Sequence, residues 1–316
     1  MNNTKEELLG TFLTRENTYT KSVSYKKLGK SFLERAIFNY RLFGLSYVRA
    51  QISRLLYLRV IVGVREVFLF GKKMRLPVKD AGTSVLAVYG ISPHKSERKL
   101  AIWLIKNLSE TDIFYDIGAH FGYYTALAER IVSQGEIHAF EASTRLCSYL
   151  KTNFTGTKNV RVVASAVAGA QGETNFYDAS RSSDSSESSR FPVAGENIPP
   201  IKIQALTIDS YVKNGHKAPT VIKLDIEGGE EDAILGSLET LRNTSPRVIM
   251  EVWGGDKGKR YSDSAVKQLL RLGYEAFFID KDGVSMLEPV TDPVGSISKR
   301  GEDARDNVLF FKNNQK

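Results

Sequence analysis

The stretch Ile113-Phe-Tyr-Asp-Ile-Gly-Ala-His-Phe-Gly122 joins a short apolar strand to a turn carrying two glycines, and Tyr123 to Ser133 follows with helical spacing of its apolar residues. A strand, a glycine turn and a helix in that order deliver a nucleotide-like ligand to a helix N-terminus, where backbone N–H groups point outward. Gly118 and Gly122 let the backbone turn tightly and approach the ligand, and Asp116 places a carboxylate at the tip of the strand.

The glycines are spaced G-x-x-x-G behind an acid, whereas the pyrophosphate fingerprint of dinucleotide enzymes is G-x-G-x-x-G without one. A carboxylate at Asp116 repels phosphate and attracts an amine or sulfonium, which points to S-adenosylmethionine. A second apolar strand, Glu136-Ile-His-Ala-Phe140, ends in Glu141, 25 residues beyond Asp116. Adenosine-binding doubly wound sheets carry the acid that accepts both ribose hydroxyls roughly 20 residues after the glycine loop. A third constellation, Val221-Ile-Lys-Leu-Asp-Ile-Glu-Gly-Gly-Glu230, again sets acids and glycines after a strand. Ligands of open α/β sheets collect outside the carboxyl ends of the strands, so Asp225 and Glu227 are expected to face the pocket lined by Asp116 and Glu141. Glu230 reads instead as a complement to the dipole of the following helix.

These motifs resemble the FkbM family of S-adenosylmethionine-dependent methyltransferases, of the class I fold, most of which methylate hydroxyls of sugars or other small metabolites. The resemblance covers roughly residues 66 to 312. It rests on Asp116 to Gly122, on Ala139-Phe-Glu141, on Leu206-Thr-Ile-Asp-Ser-Tyr211, and above all on Lys223-Leu-Asp-Ile-Glu-Gly-Gly-Glu230 followed by Leu235-Gly236. It implies that the turn from Asp116 to Gly122, with Asp116, Gly118, Ala119 and Gly122, holds the methionine part of the cofactor, with Tyr123 a further cofactor contact. Glu141 then binds ribose, with Ala142 a neighbouring cofactor contact, Ser165 and Ala166 belong to the adenine site, and Asp225 and Glu227 lie beside the reactive methyl. The family usually has Asn where this chain has His120, Pro at Ala142 and Ala at Gly229. His120 is a third candidate base after Asp225 and Glu227, because an imidazole titrates near neutrality. No metal is expected.

The order of elements predicts a doubly wound α/β domain. Strands at 113–117, 136–140, 160–164, 221–225, 247–252, 275–280 and 307–311 make seven, mainly parallel and Rossmann-like. Helices are read at 96–108, 123–133, 144–154, 230–242 and 263–272, and paired extra strands at 172–177 and 201–206. The last strand is expected to be antiparallel, after a loop with no convincing helix. Residues 178–200, rich in serine, read as a solvated insert.

Residues 1–80 carry 16 Lys and Arg against 6 Asp and Glu, and residues 81–316 carry 28 against 30. The positive excess therefore belongs to a basic N-terminal extension, 1–80, closed by a hairpin around Gly71, while 81–316 form the methyltransferase domain. A slightly acidic catalytic region argues against nucleic acid as partner. Between 31 and 64 arginines interrupt an apolar pattern, as in a basic amphipathic helix that covers its own domain or contacts an anionic membrane surface peripherally. No uninterrupted apolar run reaches the roughly 18 residues of a spanning helix, since Arg54, Arg59 and Arg65 break the best candidate, and the polar N-terminus lacks a secretory h-region, so the cytoplasm is the expected compartment. The lone Cys147 reads as a small buried residue. The resulting expectation is O-methylation of a small-molecule or glycan acceptor. The alternative is a methyltransferase-like binding protein without activity, held to a membrane or partner by its basic helix.

Overall fold

The computed structural model describes residues 3–24, 64–77, 83, 86–87, 89–92, 94–178, 199–285, 288–301 and 304–312. The basic helix read between 31 and 64 and nearly all of the serine-rich insert lie outside them. The chain divides into two compact units, Met1–Arg98 and Lys99–Lys316.

In the first unit a helix runs from Asn3 to Ser24, which the sequence reading passed over. Its signal was present: Leu8 and Phe12, one helical turn apart, are both buried. Glu16 pairs with Arg98 at 2.9 Å and Tyr19 meets Tyr89 edge-on at 5.2 Å. Strands β1 (Val64–Leu69) and β2 (Lys72–Pro77) form the expected hairpin. Its two turn residues, Phe70 and Gly71, both have positive φ, 52° and 80°, the mirror-image turn that matches strand twist. Among the described residues no helix is long and apolar enough to cross a membrane.

The second unit holds the seven-stranded sheet. Its strands are β3 (Ile113–Ile117), β4 (Glu136–Phe140), β5 (Val160–Val163), β9 (Val221–Leu224), β10 (Arg247–Trp253), β11 (Glu275–Phe278) and β12 (Arg305–Phe311). They lie in the order β11-β12-β10-β9-β3-β4-β5, with β12 antiparallel to both neighbours and the others parallel. β3 and β9 are buried along their whole length, so they are apolar except for Asp116 and Lys223. From β3 the chain winds outward to β4 and β5, and from β9 it winds the other way to β10. The β3–β9 seam is therefore the switch point where such sheets open a crevice. A small sheet beside the main one pairs β6 (Ala166–Val167), β8 (Ile201–Leu206) and β7 (Gly172–Phe176), as the extra strands predicted.

Three helical expectations are corrected, the first being the helix read over 123–133, which ends at Glu129. The helix read over 230–242 is two, Glu230–Leu235 and Leu238–Asn243. Gly236 packs so closely on the Ala168 carbonyl that no Cβ fits, and Asp209 caps the second piece from outside, accepting from the N–H groups of Glu239 (3.0 Å) and Thr240 (2.7 Å). The loop before β12 does contain a helix, Pro293–Ser298, begun by Asp292 accepting from the Gly295 N–H at 2.8 Å. Asp-Pro is the start signal that was missed.

His138, within β4, is structural. It is buried, with Nδ1 2.8 Å from the Tyr211 hydroxyl and Nε2 3.0 Å from Glu136, and burial pulls its pKa below the ordinary imidazole value. Cys147 is buried and free.

Candidate active site

The turn after β3 is fastened to the tip of β4: the N–H groups of Gly118 and Ala119 both donate to the Phe140 carbonyl, at 3.0 and 2.9 Å. Gly118 has φ +79°, and a Cβ there would run into the carbonyl oxygen of Asp225. Gly122, at φ +97°, lies against the Phe154 ring and Leu150. Glycine is thus required at both positions by conformation and by space.

Asp116 is fully buried. Thr125 donates to its Oδ2 at 2.6 Å, while Oδ1 has no hydrogen-bond partner and lies 3.7 Å from the Lys223 ammonium. Burial raises the Asp116 pKa, and Lys223 opposes that rise. A buried carboxylate oxygen with no donor of its own fits a ligand bearing a positive group or an N–H.

Glu141 is gripped at both oxygens by backbone. The His120 N–H donates to Oε2 and the Ser143 N–H to Oε1, each at 2.8 Å. Burial outweighs these bonds and pushes its pKa up to about 7. His120 sits at φ +56°, a left-handed conformation in which His and Asn are the better-tolerated side chains, and this geometry aims its N–H at Glu141. The backbone thus gives a reason for His120 that needs no acid–base role. Its ring stands edge-on to Phe121 at 4.8 Å.

The remaining cofactor candidates fall around this turn. Tyr123 is buried at the start of the helix Tyr123–Glu129, its ring edge-on to Tyr124 at 5.1 Å. Ala142 packs on the small sheet. Ser165 is buried, with its hydroxyl donating to the Gln204 carbonyl at 3.0 Å, and Ala166 pairs with Ala205. Ser143 also donates to the buried Asp178, 3.2 Å from each oxygen, a contact that no motif announced.

Asp225 and Glu227 stand on the other side of the seam. The Asp225 N–H donates to the Ile117 carbonyl at 3.1 Å, which locks the end of β9 to that of β3. Glu230, expected to serve the helix dipole, is buried and folds back so that its Oε1 accepts from the Ile226 N–H at 3.0 Å, between the two acids. Burial pushes its pKa up to about 7. Glu227 has φ +53°. Asp225, Glu227 and Glu251 each present a carboxylate oxygen within 4.8 Å of the other two.

That spacing is compatible with a divalent cation, yet Lys223 lies 3.3 Å from Asp225 and Arg305 3.3 Å from Glu251, so at least two of the three charges already have cationic partners. Treatment with EDTA is therefore expected to leave turnover unchanged. Activity lost to the chelator and restored by magnesium would assign the cluster to a metal.

The family model of the methyltransferase FkbM domain matches residues 116–276, from the acid of the turn to β11. The chain belongs to the FkbM methyltransferase family. S-adenosyl-L-methionine is the methyl donor of this class, and the unsatisfied oxygen of Asp116 and the doubly held carboxylate of Glu141 fit it. Among solved structures, the chain is similar to an FkbM methyltransferase from Methylobacillus flagellatus at 16% identity and TM-score 0.41, over 65% of this chain and 44% of that one. It is also similar to a precorrin-6y C5,15-methyltransferase from Geobacter metallireducens at 13% identity and TM-score 0.39, over 69% and 88%. A third is fibrillarin from Aeropyrum pernix, in complex with natively bound S-adenosyl-L-methionine, at 13% identity and TM-score 0.39, over 67% and 74%. The chain thus spans less than half the length of the Methylobacillus protein. None of the curated proteins compared with it matches.

Donor binding is expected to weaken as the pH falls through about 7, where Glu141 takes up its proton. The ionised carboxylate can accept from ribose hydroxyls as well as from the two N–H groups, and the protonated form gives up part of that capacity. Calorimetric titrations at pH 6 and pH 8 check it, with the tighter binding expected at pH 8.

Proposed function

We propose that this FkbM-family methyltransferase O-methylates a hydroxyl of a sugar, glycan or small metabolite. The observation that carries the reading is the backbone of Glu227. It holds a left-handed conformation costing about 1 kcal/mol for a residue with a side chain, in a Glu-Gly-Gly run where a glycine would adopt it freely. A carboxylate kept at that cost beside Asp225 is a carboxylate in use.

S-adenosylmethionine, when bound, would supply an electrophilic methyl group whose bond to sulfur breaks as the acceptor bond forms, the electron pair staying on sulfur in the demethylated thioether product. This chain's residues supply the rest. Asp116 offers its unsatisfied oxygen to the positive part of the donor, and Glu141 accepts from the ribose. Asp225 and Glu227 orient the acceptor hydroxyl, and one of them receives its proton as the O–C bond forms. Three acids within 4.8 Å suit an acceptor with several hydroxyls better than an amine, which needs no strong base once it is neutral.

The test is incubation with isotopically labelled donor and extract fractions separated into glycans, lipid-linked sugars, small metabolites and nucleic acid. Label on an oxygen of a hydroxyl compound is the expected result. Label confined to nucleic acid or to nitrogen contradicts the proposal.

A further inference from the structure

The reaction described above uses acids on both sides of the seam between β3 and β9 and leaves one buried cation unexplained. Lys223 lies in the interior of β9, directly opposite Asp116 of β3, and is almost fully buried. Its neighbours in the strand are Val221, Ile222 and Leu224, so an aliphatic residue would satisfy the packing without the cost of burying an ammonium.

The ammonium instead gathers groups from both sides of the site. It donates to the Gly118 carbonyl at 3.1 Å, in the turn that receives the donor. It lies 3.3 Å from Asp225 Oδ2 and 3.7 Å from Asp116 Oδ1. The Tyr124 ring, from the helix after the turn, stands 5.4 Å away. With both aspartates ionised the trio carries one net negative charge, which suits a donor bearing a positive sulfur.

We propose that Lys223 is a positioning residue for methyl transfer, holding the donor turn and Asp225 in one frame and providing the positive charge against which the buried acids are set. This inference rests on the reading of the site as a donor pocket facing a catalytic acid. The charged and titratable groups around Lys223 include Asp116 on β3, Asp225 after β9, Glu141 after β4, Tyr124 on the helix after the turn and, beyond them, Asp178 and Glu230. Lys223 draws the pKa values of both Asp116 and Glu141 downward against the effect of burial. Without its charge both acids keep their protons to higher pH.

The experiment compares wild type with Lys223→Met, which keeps the length and loses the charge, and Lys223→Arg, which keeps the charge and changes its shape. Donor affinity is measured by calorimetry from pH 5.5 to 9, and kcat at saturating donor. For Lys223→Met the donor Kd is expected to rise at least tenfold at neutral pH, with the acid limb of binding moved upward by about one pH unit or more. For Lys223→Arg the acid limb stays where it is in wild type, and kcat falls at least tenfold, because a planar guanidinium cannot place one donor among the same three oxygens.

A Lys223→Met protein with the wild-type acid limb and kcat within twofold overturns the inference, since a residue present only for packing would behave so. If that variant does not fold, Lys223→Arg decides alone: wild-type kcat overturns the inference, and a tenfold loss with an unmoved acid limb supports it. Failure of the wild-type protein to bind donor at any pH is a separate outcome, and it strikes the donor pocket itself.

Discussion

Gly118→Ala is expected to cost the protein its donor binding, weakening it by more than a hundredfold, and to lower stability by about 3 kcal/mol or more. The new Cβ would overlap the carbonyl oxygen of Asp225, which is backbone and cannot swing aside. The φ of +79° adds a conformational penalty for any residue other than glycine. Relief requires that the turn and the end of β9 part. That would break the bond from the Asp225 N–H to Ile117, the bonds from Gly118 and Ala119 to Phe140, and the Lys223 contact with the Gly118 carbonyl. Thermal melting and donor calorimetry on the same preparation check both halves of the expectation. Wild-type affinity in the alanine variant would mean that the turn is placed differently.

The second large effect separates catalysis from stability at Glu227. Glu227→Gln and Glu227→Gly are both expected to lower kcat by about 10² to 10⁴, the usual contribution of a positioned proton acceptor, with donor affinity within about tenfold of wild type. Their stabilities should differ in a telling way. Glycine relieves the left-handed strain and gives back a similar amount in backbone entropy, so Glu227→Gly is expected to fall within about 1 kcal/mol of wild type. Glu227→Ala keeps the strain and loses the carboxylate, so it should melt below the glycine variant. Full turnover in Glu227→Gln would remove Glu227 from the chemistry and leave Asp225 as the base.

Much of this was legible in the sequence because the parallel sheet writes itself plainly. Strands such as Ile113–Ile117 and Val221–Leu224 are short apolar runs ended by acids or glycines, and each lies within a residue of its expected bounds. What failed was local rather than global. The break at Gly236 depends on Asp209, which lies far away in sequence, and on a carbonyl of the small sheet, neither visible from helical periodicity.

In the site, the acids that end strands could be read one by one, but the contacts that tune them could not. Lys223 stood inside a quoted motif without a role, because its meaning comes from the register that sets it opposite Asp116. The backbone donors of His120 and Ser143 to Glu141 leave no trace in side-chain identity. The clue at position 120 was its tolerance for a left-handed backbone, which the chemistry of an imidazole obscured.

The central claim is that acids at the tips of β3, β4 and β9 enclose S-adenosylmethionine. Its most direct test is isothermal titration of the purified protein at pH 8 with that donor and, in parallel, with its demethylated product and NAD. The account predicts saturable one-site heat with donor and product, abolished in Gly118→Ala, and none with NAD. Absence of heat with both donor and product, or binding of NAD in their place, would contradict it.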